Sequence, residues 1–161
     1  MGLNEMGGGL ADLIERGGIC RDLKGTTPRE VMAALIGTLP PIPSVSQDLL
    51  LRAVLEREAL MSTSIGNGIA LPHPRNPLVK TESEQFVALA FLQNQVDWKS
   101  LDGEQVETLM LIVSASAKQH LRTLAEITFF CRQEEFCRLL QERTSMEELT
   151  RFITEAEKNW K

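Results

Sequence analysis

Gln85-Phe86-Val87-Ala88-Leu89-Ala90-Phe91-Leu92 is a run in which only the first residue is polar, and Val106-Glu107-Thr108-Leu109-Met110-Leu111-Ile112-Val113-Ser114 is nearly as apolar. Each run is short and bounded by polar turn segments, 93–100 and Asp102-Gly103. A strand with one wet face would alternate, whereas a near-continuous short apolar run predicts a strand buried on both faces. Two such strands need cover on each side, and the flanking sequence supplies it.

Working outward, Thr27-Pro28-Arg29-Glu30 reads as a helix start. Thr27 can cap, Pro28 suits the first turn, and Glu30 can reach back to complete a capping box. That helix carries Val31, Ala34 and Leu35 and ends near Leu39-Pro40-Pro41. A second helix is predicted from about Ser46 to Arg57 or Glu58. Residues 11–16 suit a short helix and residues 19–23 a strand. Downstream, Ser116-Ala117-Lys118-Gln119 opens a helix through Leu121 and Leu124, and residues 134–142 form another. Ser145-Met146-Glu147-Glu148 starts a third, whose stripe is Met146, Leu149, Phe152, Ile153 and Ala156. The order predicts an α/β protein, a three-layer α/β/α sandwich around a mixed sheet. Residues 1–9, glycine-rich, are expected to be a flexible tail, and residues 10–161 a single domain.

At 161 residues the chain can bury a full core, roughly 70% of its unfolded surface. Its net charge of −5 and scattered Lys and Arg argue against a nucleic-acid partner. No apolar run approaches the ~20 residues of a membrane span, and the N-terminus lacks the order of a secretion signal. A cytoplasmic location without membrane insertion is expected. Cys20, Cys131 and Cys137 form no CxxC pair. On one continuous helix the last two would point about 120° apart, so reduced thiols are expected, with no disulfide, metal or cofactor.

Chemistry concentrates in Ser62-Thr63-Ser64-Ile65-Gly66-Asn67-Gly68-Ile69-Ala70-Leu71-Pro72-His73. Two glycines in three residues allow a tight turn whose N–H groups can approach an anion. A short apolar strand follows, and Pro72 sets the direction in which His73 is presented. Neutral imidazole is a nucleophile at physiological pH. Taken alone, such a stretch is more often a plain hairpin ending in a surface histidine.

The longer string is more specific. Arg57-Glu58, Ile65-Gly66-Asn67-Gly68-Ile69-Ala70-Leu71-Pro72-His73, Leu101-Asp102-Gly103, and His120-Leu121 to Leu124-Ala125 together resemble the type-2 enzyme IIA family of the bacterial phosphotransferase system. Its members are the fructose, mannitol and nitrogen-regulatory IIA proteins. The resemblance implies that His73 accepts a phosphoryl group from the carrier HPr or its nitrogen-branch homologue. It also implies that the group passes to a cysteine of a IIB partner, or that phosphorylation state governs binding to a regulatory target. Arg57 and His120 match residues that line the family's site.

Elementary chemistry assigns these residues compatible roles. Arg57 offers a fixed cation for phosphoryl oxygens, or merely a favourable charge at a helix C-terminus. His120, in the first turn of its helix, offers one hydrogen bond to a phosphoryl oxygen, or is simply half-buried. Thr63 offers a hydroxyl to phosphate or stabilises the turn. Pro74 departs from the small residue common after the family's histidine. It removes a backbone N–H, and Arg75 follows. A chain without its own IIB or IIC segment fits a regulatory output better than sugar uptake. The alternative is an interaction module that keeps the fold without the chemistry.

Overall fold

A computed structural model describes residues 9–159, so the expected tail lies outside the described residues except for Gly9. The elements run α1 (Leu10–Gly17), β1 (Ile19–Leu23), α2 (Pro28–Thr38), α3 (Gln47–Leu60), β2 (Ser64–Gly66), β3 (Ile69–Ala70), β4 (Phe86–Val96), β5 (Val106–Val113), α4 (Ala117–Cys131), α5 (Glu134–Gln141) and α6 (Met146–Lys158). The five strands form one sheet in the order β1-β4-β5-β3-β2. β1 runs parallel to β4 and β3 parallel to β5, while the β4–β5 and β2–β3 pairs are antiparallel. The sheet is therefore mixed, as expected.

The two apolar runs are the adjacent central strands β4 and β5, and their residues divide by parity between two cores. Ala88, Ala90, Leu92, Leu109 and Leu111 face α2 and α3 with Val31, Leu35, Leu50 and Val54. Val87, Leu89, Phe91, Met110 and Ile112 face α1, α4, α5 and α6 with Ile14, Ile127, Phe130 and Ile153. Successive side chains of a strand point to opposite faces, so a continuous apolar run requires both layers. The three-layer sandwich follows from that requirement. At Gly17, a Cβ would lie 2.1 Å from the Val87 carbonyl oxygen, so only glycine lets α1 end this close to β4. No described helix is long and apolar enough to cross a membrane.

Helix starts follow the sequence, with changes in detail. The Thr27, Ser46, Ser116 and Ser145 side chains each accept the N–H three residues on, each cap contributing about 1 kcal/mol. The reciprocal halves of the expected boxes go elsewhere. Glu30 accepts from the Thr26 N–H and hydroxyl, and Glu148 accepts from the Thr144 hydroxyl. Gln119 donates to Glu82. Each finds a partner with a hydrogen to give, or a charge to receive one, rather than the cap's own backbone. β4 continues to Val96, past the expected turn. α4 ends at Cys131, so Cys137 lies on a separate helix and its thiol contacts the Cys131 carbonyl oxygen at 3.1 Å.

Candidate active site

Parallel pairing of β3 and β5 brings their C-terminal ends side by side. β3 leads through Leu71-Pro72 to His73, and β5 leads through residues 114–116 to the first turn of α4. The Ile112 N–H donates to the Pro72 carbonyl at 2.9 Å and holds the two exits together. Open α/β sheets place their sites at such carboxyl ends. The rings of His73 and His120 lie with centroids 4.6 Å apart, tilted by 40°. Both histidines are half-buried.

His73 has a defined proton. Its Nδ1 lies 2.7 Å from the Leu71 carbonyl oxygen. A carbonyl only accepts, so Nδ1 carries the hydrogen, and a neutral ring then leaves the Nε2 lone pair free. Burial lowers the His73 pKa below its ordinary value; the Leu71 bond and Glu58 oppose this, and Arg57 adds to it. His120 is pushed down to about 4, by burial first, then by His73 and Arg57. Its place in the first turn of α4, where the helix dipole is positive, works in the same direction. Near neutral pH the site is two uncharged rings beside a guanidinium.

Arg57 comes from the opposite helical layer. α3 runs on to Leu60, beyond the expected end at Arg57 or Glu58, so both residues lie in its last turn. The Arg57 Nη1 donates to the Met61 carbonyl at 2.8 Å, which steadies the guanidinium, and its charge reaches both rings. His73, His120 and Arg57 are thus brought to one place by three elements distant in sequence.

Thr63 is placed differently from a free phosphate ligand. It is buried, and its hydroxyl donates to Glu58 Oε1 at 2.6 Å while its N–H donates to Glu58 Oε2 at 2.8 Å. Glu58 stands beside Arg57 in sequence, and its partner becomes visible only where the chain returns after α3. Pro74 is buried and Arg75 exposed.

The glycine turn does not cradle the anion expected of it. Gly66, Asn67 and Gly68 have φ of 89, 56 and 78°, a left-handed run that glycine makes inexpensive. The Asn67 N–H donates to the Asp102 carboxylate at 3.1 Å. The anion met by this turn is the chain's own aspartate, from Leu101-Asp102-Gly103. The turn lies at the N-terminal end of β3 and His73 beyond its C-terminal end, about 16 Å apart along an extended chain.

Residues 12–156 match the family described as phosphoenolpyruvate-dependent sugar phosphotransferase system, EIIA 2. The chain is 33% identical to the nitrogen regulatory protein of Klebsiella oxytoca over 120 residues, 71% of each chain. Its fold is similar to the crystal structure of nitrogen regulatory protein IIA-Ntr from Neisseria meningitidis, with a TM-score of 0.76 and 23% identity, covering 89% of this chain and 97% of that one. It is similar also to enzyme IIA mannitol of Escherichia coli in its complex with phosphorylated enzyme IIB mannitol, with a TM-score of 0.66 and 19% identity, covering 84% and 93%. With the match spanning nearly all the described residues, this chain belongs to the EIIA type-2 family of the phosphotransferase system.

Proposed function

We propose that this protein is a phosphocarrier whose His73 Nε2 accepts a phosphoryl group from a phosphohistidine of HPr or a homologous carrier. The observation that carries the reading is the pair of half-buried rings at 4.6 Å with the His73 proton held on Nδ1 by Leu71. In the step, the Nε2 lone pair attacks phosphorus, the donor's N–P bond breaks, and its electron pair returns to the donor imidazole. Such transfer runs through a loose transition state with charge on the equatorial oxygens, so positioning and electrostatics dominate. Arg57 supplies the cation, and His120, uncharged, donates a hydrogen bond from one ring nitrogen. Thr63 acts through Glu58 on the shape of the site rather than on phosphate directly.

A protein partner suits the surroundings. Leu60 at the end of α3, Met61 just beyond it and Leu121 on α4, next to His120, are 62, 70 and 66% exposed. Exposed apolar side chains around a polar centre favour protein docking. For the output we favour regulation through phosphorylation-dependent binding to a target, in line with the nitrogen regulatory relative. Transfer to a IIB cysteine, as in sugar uptake, is the competing outcome.

The test is phosphoryl uptake from phosphoenolpyruvate in the presence of the system's first enzyme and HPr. Wild-type protein should gain one acid-labile phosphate, and His73→Ala should gain none. Unchanged labelling of His73→Ala would overturn the assignment. Adding candidate IIB proteins then separates the outputs, since label appearing on a IIB cysteine rules out a purely regulatory role.

A further inference from the structure

We propose that Glu58 is the positioning residue of this site, fixing the His73 proton on Nδ1 and so keeping Nε2 unprotonated for phosphoryl transfer. The inference rests on the reading of His73 as acceptor given above.

Hydrogen bonds in series join the two residues. The Glu58 carboxylate takes the N–H and hydroxyl of Thr63, at 2.8 and 2.6 Å. The Thr63 carbonyl takes the Leu71 N–H at 3.0 Å, and the Leu71 carbonyl takes His73 Nδ1 at 2.7 Å. Thr63 is 6% exposed and Leu71 3%, so water does not readily substitute at these steps. The hydrogen bonds are charge-assisted at the Glu58 end, the strong kind.

Local electrostatics alone would not put an acid there. The C-terminal turn of a helix carries negative partial charge, which disfavours a carboxylate and favours the neighbouring Arg57. Glu58 answers instead to tertiary demand. Arg57 holds the Met61 carbonyl and Glu58 holds Thr63, while the Ser62 hydroxyl donates to the Trp98 carbonyl at 2.6 Å. Three successive residues are thus pinned between α3 and the chain leaving β4. The segment serves as a fixed template against which Leu71 is set, and Leu71 sets His73.

The experiment is 15N NMR of the His73 ring at pH 8, combined with the rate of uptake from phospho-HPr. Wild-type protein should show Nδ1 protonated and Nε2 bare. In Glu58→Ala the ring should populate both tautomers and uptake should slow about 10-fold or more, since small misplacements at a reacting centre are costly. Glu58→Gln, which keeps an acceptor, should recover part of both. A role confined to stability would lower the unfolding midpoint of Glu58→Ala without moving the tautomer. A folded Glu58→Ala with wild-type tautomer and rate overturns the proposal. If that variant does not fold, Thr63→Val, of similar shape but lacking the hydroxyl, decides on the tautomer alone. The two readings fail separately. A wild-type chain that takes no phosphoryl group refutes the phosphocarrier reading while the tautomer shift still judges Glu58. A wild-type ring protonated on Nε2 refutes the Glu58 inference while labelling stands.

Discussion

His120 and Glu126 sit on the same helix, α4, and burial acts first on both. It drives the imidazole down to about 4 and lifts the carboxyl to about 7. The direction differs and the consequence is shared: each group is pressed toward its uncharged form. They part in what they face. His120 is half-buried against the ring of His73, next to Arg57. Glu126 is 3% exposed and turns toward α1 in the same layer, where Oε2 accepts the Leu10 N–H at 3.2 Å. Glu157 raises it further, and Leu10 and Arg122 oppose the rise. One residue belongs to the proposed phosphoryl-transfer site and the other ties the start of α1 to α4. A displaced pKa marks burial, and only the company it keeps marks a site.

The contrast should be sharpest in rates. His120→Ala should slow phosphoryl uptake about 100-fold or more, the usual loss for a donor to transferred charge, with little change in the unfolding midpoint. Quenched-flow labelling would measure it, and a wild-type rate would place His120 with Glu126 as a structural group.

Glu126→Gln should do the opposite. The amide oxygen still accepts from Leu10, and no charge needs burying. Between pH 4.5 and about 7 the folded chain holds a proton the unfolded chain has released, so stability falls as pH rises through this window, and the full cost stands above it. Denaturant titration at pH 8 should therefore find the variant more stable by about 1–2 kcal/mol, an advantage that vanishes at pH 4.5. Uptake should stay within about 2-fold of wild type, the ordinary range for a site outside the chemistry.

The histidines carry the reverse sign. Their folded pKa values lie below 6.5, so the unfolded chain binds more protons between about 4 and 6.5, and stability rises with pH there. A 1H NMR titration should place the His120 midpoint near 4. A midpoint near 6.5 would mean that the ring stands in water. The smallest effect belongs to the helix the two residues share. Ser116→Ala removes the bond from the Gln119 N–H at 3.1 Å and should cost about 1 kcal/mol, lowering stability without removing either His120 or Glu126 from its partner.

Much of the architecture was legible because it is written in local patterns. Continuous apolar runs mark β4 and β5, and Thr27, Ser46, Ser116 and Ser145 mark helix starts within a residue. The site was legible in part. His73 stood out through the string around it, with Arg57 and His120 entering by resemblance to a family. The glycine turn meets the chain's own Asp102 in place of an external anion, a partner distant in sequence that no local pattern names. Glu58 went unassigned for a related reason: a carboxylate near a helix end has many uses, and its bonds to Thr63 depend on how the chain returns after α3.

By itself, then, the order of residues determined the secondary elements, their caps, the need for two covering layers and the placing of one histidine beyond a strand end. Those properties depend on neighbours a few positions away. Tertiary structure alone decided that β3 lies parallel to β5, and with it the meeting of His73 and His120, the reach of Arg57 across the layers, and the path from Glu58 to Nδ1. Pairings between distant segments are fixed by how whole faces pack together, and no local pattern records them.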